Sequence, residues 1–266
     1  MAIANALAFL FYLGCSAILI RGFVRPDSQP SQLALPVGIM TVLALLFHAT
    51  DIIFSVRTDI GWQLGLMNSL SIAAWLMALL VTIIGTRMQS AHPGIVVYPL
   101  VVLILMLKFE VPAAANGILR NPAVEWHVLL SVAAYSLFTL AAIQAIVLAI
   151  QEKHLRRRDA AGLIRKLPPL QTMESALFQL LTAGFILLSL GLVTGLMFIE
   201  DIFRQKLAHK TLLSIIAWCV FAALMWGRHR HGWRSKTAVR WTLAGFSFLL
   251  LAFVGSKLVL EFILGR

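Results

Sequence analysis

The sequence predicts an all-α, polytopic membrane helical bundle of about eight transmembrane helices, with both termini extracytoplasmic. Three observations carry that prediction. Hydrophobic residues make up 60% of the chain and charged residues 12%, with a mean hydropathy of +0.90, whereas soluble domains run near half apolar and a quarter charged. The apolar residues fall into eight runs, each near the ~20 residues that cross bilayer hydrocarbon. The basic residues fall mainly in alternate links between those runs.

The runs lie near residues 3–21, 33–54, 64–86, 94–109, 125–150, 176–199, 211–227 and 239–263. Backbone groups in lipid must be paired within the segment, so each run reads as a helix. The first has no basic residue before it and no small-residue cleavage site, so it reads as a retained helix and not a removed leader. The fourth is the shortest and contains Pro99. The fifth follows a Gly/Pro/Asn-rich connector (Pro112, Asn116, Gly117, Asn121, Pro122) and opens on Glu125-Trp126-His127. The link 151–171 carries a basic cluster and then Pro168-Pro169, which reads as a polar connector. With 266 residues, little chain remains outside the spans, and 1–266 reads as a single integral membrane domain.

Orientation follows from the charges. The links 21–32, 87–93, 151–171 and 227–240 hold fourteen basic residues, and the alternate set with the C-terminus holds seven, Lys108 among them. The positive-inside rule places the first set in the cytoplasm. The formal net charge of +11 sits in short links and not along one exposed face. Its expected partners are therefore anionic membrane lipids, and nucleic acid is not expected. Cys15 and Cys219 stand alone within apolar runs and read as buried structural residues. Without a C-x-x-C, neither thiol exchange nor covalent haem attachment is encoded.

Polar groups inside spans are costly, so each is a site hypothesis. His48 and Asp51 are three apart on one face of the second run, where a carboxylate can hold the second ring N–H of a ligating imidazole. The plain alternative is a hydrogen bond between helices. His127 starts the fifth run, with Ser131 and Tyr135 following at i+4 and i+8 on the same face. It reads either as an iron or metal ligand or as an interfacial residue beside Trp126. His229 and His231 lie among arginines and read as a solvated basic cluster. Gly191 and Gly195 form a close-packing G-x-x-x-G. Lys257 and Glu261 are four apart and expected to pair. No zinc-type histidine spacing, nucleophile–base pair or phosphate-binding loop occurs, so an enzyme is not expected. A small-molecule transporter would need paired broken helices around midplane charges, to which only Pro99 and His48/Asp51 point.

Several stretches resemble the cytochrome c assembly family that includes CcsA, CcmC and HemX, and within it the small inner-membrane YpjD subgroup. His127-Val-Leu-Leu-Ser-Val-Ala-Ala-Tyr135 is similar to that family's H-x-x-x-S…S-Y helix start. Leu46-Phe-His48-Ala, then Arg57 and Leu66-Met-Asn68-Ser69, resembles its haem-ligating second helix and following loop. Gly191-Leu-Val-Thr-Gly195 resembles its glycine-bearing helix, and Gly232-Trp233-Arg234 its cytoplasmic turn. The resemblance covers about residues 46–255. It implies haem handling related to c-type cytochrome assembly, a multi-pass location in the bacterial inner membrane, b-type haem, and haem-handling or cytochrome assembly proteins as partners. By the same resemblance His48 matches the first membrane histidine and His127 the first external one. The second membrane position falls at Trp226, which cannot ligate iron, with His229 three residues beyond as the substitute a displaced helix would offer. No histidine follows the last run, and residues 200–211 lack the family's tryptophan-rich haem-presenting loop. The alternative implied reading is a HemX-like regulatory or scaffolding protein that binds no haem.

Overall fold

The computed structural model describes the chain except for residues 1, 25–29, 60, 89–91, 111–117, 120, 157–166, 199–207 and 259–266. The described residues form eight helices: α1 (Ala2–Val24), α2 (Pro30–Val56), α3 (Leu66–Met88), α4 (His92–Glu110), α5 (Pro122–Arg156), α6 (Leu170–Phe198), α7 (Ala208–His231) and α8 (Ser235–Leu258). Seven of them, α1 to α7, are long and apolar enough to cross a membrane. The expected Lys257–Glu261 pair lies outside the described side chains, as do residues 200–209 of the stretch that lacks the tryptophan-rich loop.

Two compact units divide the chain, 1–125 with 157–168 and 126–156 with 169–266. In the first, α1 packs on α2 and α4, while α3 packs on α2 and α4. Phe11 of α1 stacks on Phe47 of α2 at 5.8 Å. Trp75 of α3 donates its indole N–H to the Leu45 carbonyl of α2 at 2.9 Å. The hydroxyls of Tyr98 and Thr82 tie α4 to α3 at 3.1 Å. A proline interrupts the donor ladder of α4 at Pro99, yet the helix runs unbroken from His92 to Glu110. Neighbouring helices in a bilayer commonly support such a proline.

A feature absent from the sequence reading caps this unit. Short strands β1 (Arg57–Thr58), β2 (Gly61–Gln63) and β3 (Ile118–Leu119) form an antiparallel sheet in that order. Arg57 pairs with Trp62, and Trp62 with Leu119. Gly61 turns the hairpin at φ 142°, which side-chain-bearing residues rarely adopt. Asn68 of α3 then clamps the cap by donating to the Ser55 carbonyl at 3.1 Å and the Gln63 carbonyl at 2.8 Å.

The second unit contains nearly all of α5 together with α6, α7 and α8. Helix α5 begins at a complete N-cap: the Asn121 side chain accepts from the Ala123 N–H at 3.0 Å, its carbonyl accepts from Glu125 N–H at 3.1 Å, and Pro122 takes the first helical position. Asn121→Ala is expected to cost about 1 kcal/mol in thermal unfolding. The helix runs six residues past the apolar run, to Arg156, because a turn outside lipid needs no apolarity. Helix α6 starts directly after Pro169, earlier than its apolar run, with Thr172 and Met173 donating to the Pro169 carbonyl.

Apolar side chains such as Leu10, Val42, Leu103, Ile186, Val193 and Leu212 are exposed on the helix surfaces. In water such a surface would be a liability; in a bilayer it is the face presented to lipid. Cys15 is buried as expected, with its thiol 3.4 Å from the Thr41 hydroxyl. Cys219, expected buried, is instead exposed: it shares the outward side of α7 with Leu212, Ile215 and Trp226.

Candidate functional site

His48 lies on α2 eight residues before its end, and its side chain is wholly buried (0% exposed). Its Nε2 is 3.0 Å from the Ser71 hydroxyl of α3. Tyr12 of α1 meets the imidazole edge-on, with ring centroids 5.9 Å apart, and Tyr98 of α4 lies 5.8 Å beyond Tyr12. Two buried polar atoms here have no hydrogen-bond partner among the described residues: His48 Nδ1 and the Tyr12 hydroxyl. Such orphans are rare because each forfeits hydrogen bonds it would have made elsewhere.

Asp51 is one turn further along α2, and it does not hold the imidazole directly. Its Oδ2 accepts from Lys108 Nζ of α4 at 2.6 Å, and the two side chains are 3% and 10% exposed. Lys108 Nζ also reaches the hydroxyls of Ser55 at 3.2 Å and Ser71 at 3.4 Å. Among the described residues the carboxylate thus connects to His48 through Lys108 and Ser71. Ammonium charge draws the carboxylate more strongly than a neutral ring can. Lys108, counted from the sequence as a link charge, is a member of α4 and of this network.

In the second unit, His127 Nδ1 is 3.1 Å from the Thr194 hydroxyl of α6. That hydroxyl has one hydrogen, directed at the carbonyls of Leu190 at 2.9 Å and Gly191 at 3.1 Å. Toward the ring it therefore accepts, so Nδ1 carries the proton and, in the neutral imidazole, Nε2 carries the lone pair. The G-x-x-x-G spacing makes this contact possible. A Cβ at Gly195 would come within 3.0 Å of His127 Cε1, and one at Gly191 would meet Ser131 at 3.7 Å. Trp126, beside it, is 64% exposed, as an interfacial aromatic should be.

Tyr135 shares the helix with His127 but serves a different contact. Its hydroxyl donates to the Leu249 carbonyl of α8 at 3.2 Å, and its ring packs on Phe253 at 5.3 Å. Trp226 is 65% exposed, with its ring against His231 at 5.3 Å. His229 is exposed as well. Both sit at the C-terminal end of α7, where Arg228 pairs with Glu174 at the start of α6. His127 pairs with Thr194 near the end of α6, so the helix length separates these groups within the unit. His48 and Asp51 are brought into one network; Tyr135, Trp226 and His229 join neither histidine. No group of three or more His, Cys, Asp or Glu suited to a metal ion occurs among the described residues. Ser71, Tyr12 and Thr194 were not singled out from the sequence, because hydroxyls in spans are common and only the fold shows which ones face a histidine.

The chain is 29% identical over 266 residues to the inner membrane protein YpjD of Escherichia coli (strain K12), covering 99% of this chain and 100% of that one. It is 27% identical over 165 residues to protein HemX of Brevibacillus brevis, 61% of each chain. Over 91 residues it is 28% identical to the cytochrome c biogenesis protein CcsA of Prochlorococcus marinus (strain NATL1A), 34% of this chain and 29% of that one. No solved structure matches. A family model described as cytochrome C assembly protein matches residues 4–264, and this multi-span membrane chain belongs to that family.

Proposed function

We propose that this protein is a non-enzymatic, haem-handling protein of a bacterial inner membrane, with His48 as an iron ligand inside the first unit and His127 as a ligating histidine of the second. The observation that carries the reading is the orphaned Nδ1 of a fully buried His48. In the tautomer whose Nε2–H donates to Ser71, Nδ1 carries a lone pair and has no protein partner, the state a ligating imidazole needs. Ser71 and Lys108 would fix the ring, and Tyr12 would border the bound group. His127 offers a comparable arrangement, with Nδ1–H on Thr194 and Nε2 as the nitrogen that would coordinate. Haem, when bound, would supply a redox-active iron. The absence of C-x-x-C favours non-covalent, b-type binding. The excess of basic residues in the links after α1, α3, α5 and α7 supports placing those links in the cytoplasm and His127 on the outer side. Cytochrome assembly or haem-handling proteins are the natural partners.

The test is the absorption spectrum of protein expressed with ample haem and purified in mild detergent, with His48→Ala and His127→Ala beside it. A Soret band is expected in the wild type, lost or shifted in each variant. A flat visible spectrum in well-folded wild type would overturn the reading. It would leave a regulatory or scaffolding role, in which both histidines serve packing.

A further inference from the structure

A second polar site lies within the second unit, at the opposite end of the helices from His127. The last turn of α5, the first turns of α6 and α8 and the end of α7 surround a cavity of about 780 Å³, within the range of small-molecule sites. Its charged wall consists of Arg156, Arg228 and Arg234 with Glu152 and Glu174, three guanidinium groups against two carboxylates.

The carboxylates orient the arginines and do not cover them. Glu174 Oε1 accepts from Arg228 at 2.6 Å and lies 3.7 Å from Arg234 Nε. Arg228 also donates to the Trp233 carbonyl at 3.1 Å and lies over the Phe178 ring at 4.4 Å. Glu152 Oε1 accepts both from Arg156 Nε and from its Nη2, each at 2.8 Å. Its other oxygen accepts from the Ser235 hydroxyl. The Arg156 and Arg234 side chains remain 65% and 68% exposed, so the guanidinium N–H groups that Glu152 and Glu174 do not take are open to a ligand. Ser235 holds a left-handed backbone (φ 48°), an unfavourable state for a residue with a side chain that persists only where surroundings enforce it. The N-terminal turns of α6 and α8, at Leu170 and Ser235, add the positive ends of two helix dipoles. Leu155, 45% exposed, gives the cavity an apolar rim beside the charges.

We propose that this cavity binds a phosphate-bearing anion, held by Arg156 and Arg234 with Arg228 behind them. Its place at the ends of membrane helices, with an apolar rim, makes the phosphodiester headgroup of an anionic lipid the favoured source over free phosphate; basic pockets between spans take such headgroups.

The experiment is thermal unfolding of the whole delipidated protein in detergent, titrated with phosphatidylglycerol, phosphatidylcholine or inorganic phosphate. Phosphatidylglycerol is expected to raise Tm saturably and phosphatidylcholine to leave it in place. Arg156→Gln with Arg234→Gln should weaken the phosphatidylglycerol response by roughly tenfold or more. Lys153→Gln, an exposed charge on the same turn outside the cavity wall, should keep it. Inorganic phosphate giving the full saturable shift, lost in the double variant, would support the site with the free anion as its source. An equal response in wild type and double variant, or an equal loss in Lys153→Gln, would show general charge attraction and overturn the proposal. So would the absence of any saturable response.

Discussion

Replacing Lys108 by methionine is expected to lower stability by about 3–5 kcal/mol, because it leaves the Asp51 carboxylate buried without a counter-charge. The 2.6 Å ion pair is 3% exposed on the Asp51 side, and in a bilayer no nearby bulk water can take over the solvation of the abandoned charge. The serines cannot replace the lysine's charge: Ser55 directs its hydroxyl chiefly at the Asp51 backbone carbonyl at 2.6 Å, with Oδ1 further off at 3.5 Å, and Ser71 is shared with His48. The double variant Asp51→Asn with Lys108→Met removes both charges. It should regain most of the loss, since a buried pair as a whole contributes little beyond the penalty of breaking it. Unfolding of the four proteins in the same detergent gives the coupling directly. A Lys108→Met variant as stable as wild type would refute this account, as would a double variant no better than the single one. The same variants bear on His48: losing Lys108 frees the Ser71 hydroxyl, so the imidazole should lose part of its fixed orientation even where the fold survives.

Much of the fold was legible because the bilayer imposes one strong rule. A span must be apolar and helical, so the eight runs announced α1 to α8 to within a few residues at most ends. The deviations fall where that rule stops applying. Helix α5 continues through Gln151, Glu152 and Arg156 after leaving the apolar stretch, and there only local propensity and side-chain pairing act. The strands at 57–63 and 118–119 are too short for any periodicity to reveal, and their pairing joins segments more than fifty residues apart. Single candidate residues were legible, but their partners were not. His48 and Asp51 stood out as polar groups in an apolar helix, and their spacing suggested a direct contact. Lys108 captured the carboxylate instead, and its position two residues from the end of α4 made it look like an ordinary link charge. Likewise Gly191-x-x-x-Gly195 announced close packing without saying against what; the fold puts His127 there. Tyr135 shares a helix face with His127 by spacing, yet its hydroxyl donates to the Leu249 carbonyl of α8, because a shared face does not fix which neighbour each side chain meets.

Gly245→Ala is expected to cost about 1–3 kcal/mol, an overpacking penalty large for one added methyl. A Cβ on Gly245 of α8 would lie 2.7 Å from Phe221 Cζ and 2.8 Å from its Cε1. Phe221 has nowhere to retreat. It is 1% exposed and stacks on Phe138 of α5 at 4.0 Å with an interplanar angle of 16°. Phe138 is in turn backed by Gly184 of α6, whose added Cβ would stand 3.2–3.3 Å from the ring. Two aromatic rings are thus sandwiched between two glycines, and the stack passes through all four helices of the second unit. Since lipid tails are as apolar as the side chains, helices in a membrane associate through such fit and not through hydrophobic burial. A misfit at one layer is therefore felt at full strength. Gly184→Ala should cost less than Gly245→Ala, because its contact is looser by about half an ångström. Phe221→Leu alone should destabilise by opening a void, whereas Phe221→Leu in the Gly245→Ala background should recover stability, because the shorter side chain vacates the space that the new methyl needs. Unfolding of both singles and the double would show this as a favourable coupling; strictly additive losses would mean that the two residues do not compete for the same space and that the stack does not set the helix separation.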